Sequence, residues 1–403
     1  MNFELNEEQR MLAESVQRYL TEHYDFEQRR ALIATDTAHS DSVWRALAEM
    51  GLLGLPFPEE AGGFGGGAVD LMSAMESIGE ALLVEPFVAN VALAGRLVAK
   101  LGSASQRDAL LSGLIDGSSK LAFAHLERGA RYRTAQVATR AQRAGDGWRL
   151  DGDKAVVIGA PIADTLVVSA RTAGDAGDAD GVSVFAVDRR ANGVRLASYR
   201  TIDNHRAADI RFDGVALRAD ALLGDAGAAL PAIDEALDFA TALLCAEASG
   251  AIKSANDATL EYLKTRKQFG VPIGAFQALQ HRMVDLFVIQ EQVRSMVRLV
   301  CSKFDTTTDS AERARYVSAA KILVADACRK VSQEAVQLHG GMGMSEELKV
   351  SHTFRRLTML AQELGDADYH LDRFAKLDPI PGDAAKPMAA GQRSKRATRS
   401  ETV

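Results

Sequence analysis

The feature that most constrains this fold is a block of short β-type segments between two helical blocks. From about residue 119, TLVVSAR, GVSVFAVD, GVRLASY and DIRFDGV are β-branched or aromatic stretches separated by Gly, Asp and Asn. Before them, AQVATRAQR and WRLDGDKAVVI flank Asp146-Gly147, which is a hairpin signal. The pattern predicts a β-barrel or sandwich domain over residues 119–226.

Helical periodicity lies on both sides of this β block. In residues 1–118, Asn6 followed by Gln9 resembles a capping box, and the apolar residues after it recur near the helical period. Residues 227–378 contain three amphipathic segments far longer than the mean helix of about 11 residues, which implies a bundle and, with the β block, an α+β fold. Residues 379–403 have no periodic apolar face and are predicted to be a disordered tail.

Composition excludes several classes of function. The 403 residues carry a formal net charge of −7 without a basic stripe, so nucleic acid is not expected as a partner. Cys245, Cys301 and Cys328 are odd in number and far apart, which favours reduced thiols. No apolar run approaches the ~20 residues of a membrane helix, and the first residues have no signal-peptide pattern. We therefore expect a cytoplasmic protein with no membrane span.

The stretch TRKQFGVPIGAFQALQHR joins two of the long helical segments. Its pattern predicts that one helix ends at Phe269-Gly270, that Pro272 prevents its continuation, and that Gln277 begins the next helix. Arg266 would then lie at a helix end. A cation there complements the helix dipole, but a guanidinium is also a planar fork for a pyrophosphate, so both roles stay open.

A second turn, QLHGGMGM, closes the helix that begins near Ala311. A glycine pair at a helix C-terminus is normally a cap, although Gly340 and Gly341 would also let backbone amides approach a phosphate. HGGMG is not a GxGxxG motif after a strand, so a Rossmann site is not supported. His339 is predicted to be a structural residue rather than a ligand.

Near the C-terminus, QELGDADYH places Glu363, Asp366, Asp368 and His370 within nine residues. Such a cluster is compatible with a metal site, an acid/base centre or the solvated end of a helix. HExxH, EF-hand and GxSxG motifs are absent from the sequence, and one histidine with closely spaced carboxylates gives no ligand geometry on a helix face. A metal site is therefore not expected.

Five motifs in order across about residues 3–376 resemble the acyl-CoA dehydrogenase family of flavoproteins. They are LPFPEEAGGFGG, GDGWRLDGDKAVVIGAPIADTLVVSAR, FDGVALRADALLG, TRKQFGVPIGAFQALQHRMVD and QLHGGMGMSEE. The resemblance implies a helical domain, a β domain and a C-terminal four-helix bundle. It also implies FAD at a subunit interface, where the RxxFG and QxxGG segments reach the flavin of the neighbouring subunit. The matching residues here are Arg266, Phe269, Gln277, Gln337, Gly340 and Gly341.

The resemblance is weaker where the family contacts its own flavin. The TEPxAGSD-like stretch of the family reads LERGARYR at Leu126–Arg133, and the family strand that carries Trp-Ile-Thr reads KAVVIG at Lys154–Gly159. Val156 stands at the tryptophan position and Ile158 at the threonine position, so an aromatic wall and a flavin-bonding hydroxyl are both missing. The resemblance implies that this chain completes a partner's flavin site better than its own.

The family reaction needs a carboxylate that removes the α-proton of the acyl-CoA, and the resemblance puts Leu364 at the place of that glutamate. The alternative base position, on the helix that opens the bundle, holds Ala240 and Thr241. Glu363 and Asp366 flank Leu364. Neighbours on a helix point about 100° apart, so Glu363 replaces the base only if the backbone shifts, and Asp366 is the better substitute. The sequence favours a chain with no base of its own.

These departures, together with LGDADYHL, resemble the small subunits of two-component acyl-CoA dehydrogenases of the pimeloyl-CoA and steroid side-chain types. The predicted function is FAD-dependent α,β-dehydrogenation of an acyl-CoA in lipid catabolism. The predicted assembly is an α2β2 tetramer in which a related chain holds the base, with an electron-transfer flavoprotein as acceptor. Two alternatives stay open: a self-sufficient homotetramer that uses Asp366, and a relative that binds acyl-CoA without oxidising it.

Overall fold

The computed structural model describes residues 6–377, and the predicted tail lies outside the described residues. The α+β class is confirmed, with a helical block, a β block and a second helical block in that order. Asn6 and Gln9 exchange hydrogen bonds as predicted, and this capping box begins the first helix. The N-terminal block consists of α1 (Glu7–His23), α2 (Phe26–Ile33), α3 (Asp41–Glu49), α4 (Ala68–Ala81), a π-helical segment (Val88–Gly95), α5 (Arg96–Leu101) and α6 (Ala104–Ile115).

The middle block is a single sheet. Its strands are β1 (Leu121–Ala124), β2 (Arg140–Ala144), β3 (Gly147–Ile158), β4 (Thr165–Arg171), β5 (Val182–Asp188), β6 (Val194–Arg200), β7 (Arg206–Leu217) and β8 (Leu222–Leu223). They pair in the order β6-β7-β3-β2-β4-β5-β8, and β1 joins beside β4. Trp148 on β3 meets Phe185 on β5 with ring centroids 5.3 Å apart although these strands are not neighbours, so the sheet curls over a core of its own.

The C-terminal block is the helical bundle. It consists of α7 (Leu230–Thr265), the short strands β9 (Lys267–Gln268) and β10 (Val271–Pro272), and the helices α8 (Gln277–Thr306), α9 (Ser310–His339), α10 (Lys349–Leu360) and α11 (Ala367–Leu377). The predicted end of the first long helix at Phe269-Gly270 is wrong, because α7 stops at Thr265 and a β-hairpin follows. Phe269 and Gly270 have φ of 52° and 81°, and this pair of left-handed residues allows a two-residue hairpin turn.

The N-terminal block and the bundle meet where α4 crosses α7. A Cβ atom on Gly79 would lie 1.9 Å from the Glu247 carbonyl oxygen, and one on Gly250 would lie 1.8 Å from the Glu76 carbonyl oxygen. Only glycine allows the two backbones to approach so closely. This contact fixes the position of Glu247 against α4, which matters for the site described below. Within residues 6–377, the helices are either too short or too polar to cross a membrane.

Candidate active site

The hairpin between α7 and α8 stands out from the bundle and carries residues predicted to reach a neighbouring flavin. Phe269 at its tip is 92% exposed and meets the edge of Phe276 with ring centroids 6.3 Å apart. Arg266 directly follows α7, and within residues 6–377 its exposed guanidinium has no hydrogen-bond or ion-pair partner. Gln277 begins α8, as predicted, and is also exposed. The hairpin therefore offers an aromatic ring and a cation to another surface.

The glycine turn after α9 is the second predicted segment. Gln337 lies on the last turn of α9 and is exposed, and Gly340 follows the helix with φ of 60°. A Cβ atom on Gly340 or Gly341 would meet nothing within 4 Å. The fold itself therefore does not fill the space beside this backbone, and a ligand can approach it closely.

A ring stack joins the hairpin side to the glycine turn. Tyr262, one turn before the end of α7, stacks on His339 with ring centroids 4.5 Å apart. His339 Nδ1 donates to the Ala335 carbonyl oxygen at 2.8 Å, so this histidine has the structural role that the sequence predicts. The stack brings the two predicted flavin-contact segments to the same end of the bundle.

The turn between α10 and α11 contains Leu364, the position that the resemblance assigns to the family's base. The expectation that Glu363 and Leu364 are neighbours on a helix is wrong, because α10 ends at Leu360 and the backbone reverses at Leu364 and Gly365, with φ of 58° and 125°. A Cβ atom on Gly365 would lie 2.4 Å from His370 Nε2. The helical 100° argument therefore does not apply to this turn.

Each side chain of this turn has a defined contact. Leu364 packs against the main hydrophobic core. Asp366 Oδ1 accepts a hydrogen bond from the Tyr369 amide at 2.8 Å, as an N-cap of α11 does. Glu363 turns the other way, and its carboxylate accepts a hydrogen bond from Arg356 Nη1 at 3.1 Å.

Two buried basic side chains, Lys321 and His370, bind backbone carbonyl groups of the turn. The Lys321 ammonium donates to the Leu360 carbonyl oxygen. His370 Nε2 donates to the Leu364 carbonyl oxygen at 3.2 Å, and Ser318 Oγ lies 3.3 Å from Nδ1. Burial lowers the pKa of His370 to about 3, so the ring is neutral. The histidine of QELGDADYH therefore orders the chain.

Beside the turn lies a buried ion cluster centred on Arg356. Its guanidinium binds both oxygens of Glu247 at 2.6 and 2.9 Å, Asp203 Oδ2 at 2.7 Å, and Glu363 Oε2 at 3.1 Å. His205 Nδ1 lies 3.0 Å from Asp203 Oδ2. Burial alone would lower the pKa of Arg356, but the three carboxylates raise it well above its usual value. Arg356 therefore stays charged.

The cluster continues into the N-terminal block through Arg29. Its Nε donates to the Leu82 carbonyl oxygen at 2.7 Å, and its Nη1 donates to His352 Nδ1 at 2.9 Å. Its Nη2 lies 3.5 Å from the Asp203 carbonyl oxygen. Residues from all three blocks thus meet around Asp203 and Arg356.

A small cavity lies at the centre of this junction, with a volume of about 20 Å³. Apolar residues of α4 and the following segment form one wall, and the charged cluster forms the other. Glu85 is on the apolar side, where burial raises the pKa of its carboxyl to about 7. The lining residues are Met75, Ile78, Leu83, Glu85, Pro86, Phe87, Val88, Ala89, Ile158, His205, Glu247, Arg356 and Glu363.

Comparisons with known proteins identify this arrangement. Sequence models of the acyl-CoA dehydrogenase N-terminal, middle and C-terminal domains match residues 6–118, 122–215 and 230–377. Acyl-CoA dehydrogenase IpdE2 of Mycolicibacterium smegmatis is 31% identical over 92% of this chain and 98% of its own length. This chain belongs to the acyl-CoA dehydrogenase family.

Two solved acyl-CoA dehydrogenase structures resemble this chain over more than nine-tenths of its length. A variant of the Tcur3481-Tcur3483 steroid ACAD superposes with a TM-score of 0.81 at 32% identity, over 92% of this chain and 97% of that one. The ChsE4-ChsE5 complex from Mycobacterium tuberculosis superposes with a TM-score of 0.83 at 25% identity, over 93% of this chain and 98% of that one. The family consists of FAD-dependent oxidoreductases that act on the CH–CH bond of acyl-CoA thioesters.

Two surfaces of this chain correspond to flavin contacts of the family: the hairpin with the glycine turn, and the strand that contains Val156 and Ile158. They differ in how well their residues fit FAD. The open backbone at Gly340 and Gly341 suits the close approach of a pyrophosphate, and so does the Arg266 guanidinium, which has no partner among residues 6–377. The other surface offers no hydroxyl at Ile158. At Val156, 42% exposed with φ of 52°, the backbone amide already donates to Asp209 Oδ1 at 3.1 Å. The residues of the hairpin and the glycine turn thus fit FAD, and those at Val156 and Ile158 do not.

Proposed function

We propose that this chain is one subunit of a hetero-oligomeric acyl-CoA dehydrogenase and that it completes the flavin site of a related, base-bearing chain. The main support is a contrast between two parts of the chain. The exposed hairpin and the glycine turn keep the residues that match the family's flavin contacts, whereas the turn at Leu364 has an aliphatic side chain in place of the base. In this proposal, the flavin bound by the neighbouring subunit is contacted by Arg266, Phe269, Gln277, Gln337, Gly340 and Gly341 of this chain.

The residues of this chain would bind and orient rather than react. Arg266 would neutralise the pyrophosphate of FAD, and the glycine turn would bring backbone amides to the same anion. Phe269 would cover the site and exclude water. Bound FAD supplies the acceptor for the β-hydride while a carboxylate removes the α-proton, and in this proposal that carboxylate belongs to the partner.

Exposed apolar surface supports an obligate assembly, for which we propose α2β2. Val284, Phe287 and Val288 form an exposed stripe on one face of α8, spaced at i, i+3 and i+4. The resemblance to the ChsE4-ChsE5 complex supports a related chain as the neighbour. We further propose a cytoplasmic location, an electron-transfer flavoprotein as acceptor, and domain boundaries near residues 118 and 226.

The alternative is a self-sufficient homotetramer in which Asp366, or less favourably Glu363, is the base. The position of Asp366 and Glu363 beside Leu364 favours this alternative. Their contacts oppose it, since Asp366 caps α11 and Glu363 is paired with Arg356. A relative that binds acyl-CoA without redox chemistry is disfavoured by the open glycine turn and by Arg266, which has no partner in the described part of the chain. The flavin content of the purified protein tests this alternative.

Expression of this chain alone and together with a homologue encoded beside it tests the proposal. We expect the chain alone to be colourless and inactive in a dye-reduction assay with acyl-CoA, and the pair to be yellow and active. A yellow, active protein obtained from this chain alone would refute the partner-subunit role and establish the homotetramer.

A matched pair of arginine variants of the coexpressed complex tests the role of the hairpin. Loss of a charged hydrogen bond to a phosphate costs about 1.5–3 kcal/mol, so Arg266→Ala should weaken FAD binding by roughly 10–100-fold. Arg294→Ala, which removes a surface arginine paired with Glu291, is the control and should leave the flavin content unchanged. Equal flavin content in both variants would place the flavin away from this hairpin.

A further inference from the structure

We infer that the ion cluster around Arg356 closes the acyl-binding pocket of this chain, so that Arg356 and Glu247 exclude the acyl chain from this fold. The inference rests on the proposed function, because it explains why only a partner offers a complete site. It assigns a role to residues that the flavin contacts do not use.

The cavity at the cluster occupies the place of a substrate. Ile158 stands at the family position beside the flavin, and Glu363 adjoins the position of the base, so the reacting thioester of a complete site would lie between them. Both residues line the 20 Å³ cavity, together with Arg356 and Glu247. The apolar residues of α4 and of the segment after it form the rest of the wall, as expected for the wall of a hydrocarbon-binding channel.

The cavity is too small for any acyl group. Pockets that bind small ligands have volumes of about 300–1,000 Å³, whereas a cavity of ~10–15 Å³ holds a single water molecule. The 20 Å³ at this site therefore accommodates one water. An acyl chain could enter only by displacing the side chains of Arg356 and Glu247.

The contacts of these two residues oppose such a displacement. Glu247 gives both carboxylate oxygens to Arg356, and its own backbone is fixed by the close approach of Gly79. Arg356 also binds Asp203, in the turn between β6 and β7, and Glu363. A rotamer change of Arg356 would leave the buried carboxylates of Glu247 and Asp203 without this cation, and a hydrocarbon chain could not replace it.

Hydrogen exchange on the flavin-loaded complex tests the closure. Butyryl-, octanoyl- and palmitoyl-CoA are added in turn to find an acyl-CoA that slows hydrogen exchange in peptides of the partner's pocket. That acyl-CoA is then the probe for this chain. We expect that probe to leave exchange in residues 71–89 of this chain unchanged, within twofold. Slowing of tenfold or more in these residues would overturn the inference.

Reopening the pocket provides an independent test. Glu247→Ala combined with Arg356→Ala removes the two side chains, and we expect the chosen acyl-CoA to slow exchange in residues 71–89 of the folded variant. Arg355→Ala, which changes the neighbouring arginine that pairs with the exposed Glu346, is the control and should behave as the unmodified chain. A folded double variant without the new protection would overturn the closure role. If instead this chain alone carried flavin and activity, the proposed function would fail, so the two failures are distinct.

Discussion

Two adjacent arginines on α10 provide the sharpest test of the buried cluster. The Arg356 side chain is 7% exposed and binds Glu247, which is 3% exposed and has no other side-chain partner within residues 6–377. The Arg355 side chain pairs with Glu346, which is 69% exposed. Removing one partner of a buried ion pair costs about 3–5 kcal/mol, whereas an exposed pair contributes about 0–1 kcal/mol. Arg356→Ala should therefore destabilise the chain about 3–5 kcal/mol and Arg355→Ala less than about 1 kcal/mol.

The assay is thermal and urea unfolding of each variant in the same assembly. At roughly 2 °C per kcal/mol for a chain of this size, Arg356→Ala should lower Tm by about 6–10 °C and Arg355→Ala by about 2 °C or less. Glu247→Met with Arg356→Met should recover only part of the loss, because well-packed apolar residues can replace the Arg356–Glu247 pair but buried Asp203 still loses its cation. Equal shifts for the two alanine variants would refute the assignment of Arg356 to a buried cluster.

Further changes test other parts of the site. Burial raises the pKa of Glu85 to about 7, so ionisation of this carboxyl lowers the stability of the folded chain as the pH rises from about 4.5 to about 7. Glu85→Gln should therefore stabilise the protein by about 3 kcal/mol at pH 8 and not at pH 4, as measured by urea unfolding. Gly365→Ala should cost about 2–4 kcal/mol, because its Cβ would strike His370 Nε2, whereas Gly129→Ala, with φ of 82° and open space, should cost about 1–2 kcal/mol in the same Tm measurement. Asp366→Asn keeps a capping oxygen, so the kcat of the complex should be unchanged; a loss of ~10²-fold or more would make Asp366 the base.

Local signals predicted much of the fold, whereas the flavin-contact residues were predicted from the resemblance to the family and stay predictions. TLVVSAR became β4 from Thr165 to Arg171, the capping box formed at Asn6, and α8 begins at Gln277. These features depend on neighbours in the chain, such as alternation, caps and helix starts. The hairpin at Phe269-Gly270 was missed because its left-handed turn begins with phenylalanine, where asparagine or aspartate is the usual signal.

The ion cluster could not be predicted from pattern, because its members are far apart in sequence. Arg356 lies 153 positions from Asp203 and 109 from Glu247, and only the packing of three blocks brings them together. One signal was present. Glu247 interrupts the apolar stretch ALLCAEASGAI in the middle of a long helix, where a lone carboxylate needs a buried partner. The position of Glu363 could not be predicted either, because it depends on a non-helical turn. Gly365 was the only residue in the sequence there that indicated a turn.

The junction at Arg356 has a consequence for how such a chain can evolve or be engineered. Arg29, Asp203 and Glu247 come from three successive blocks, so recombination at the block boundaries with a homologue would separate charges that neutralise one another. A chimera would inherit an uncompensated carboxylate or guanidinium in its interior unless the crossover also carried the matching residues. The blocks of this protein are therefore not freely exchangeable modules, and viable hybrids should be those whose parents share all of these charges or none.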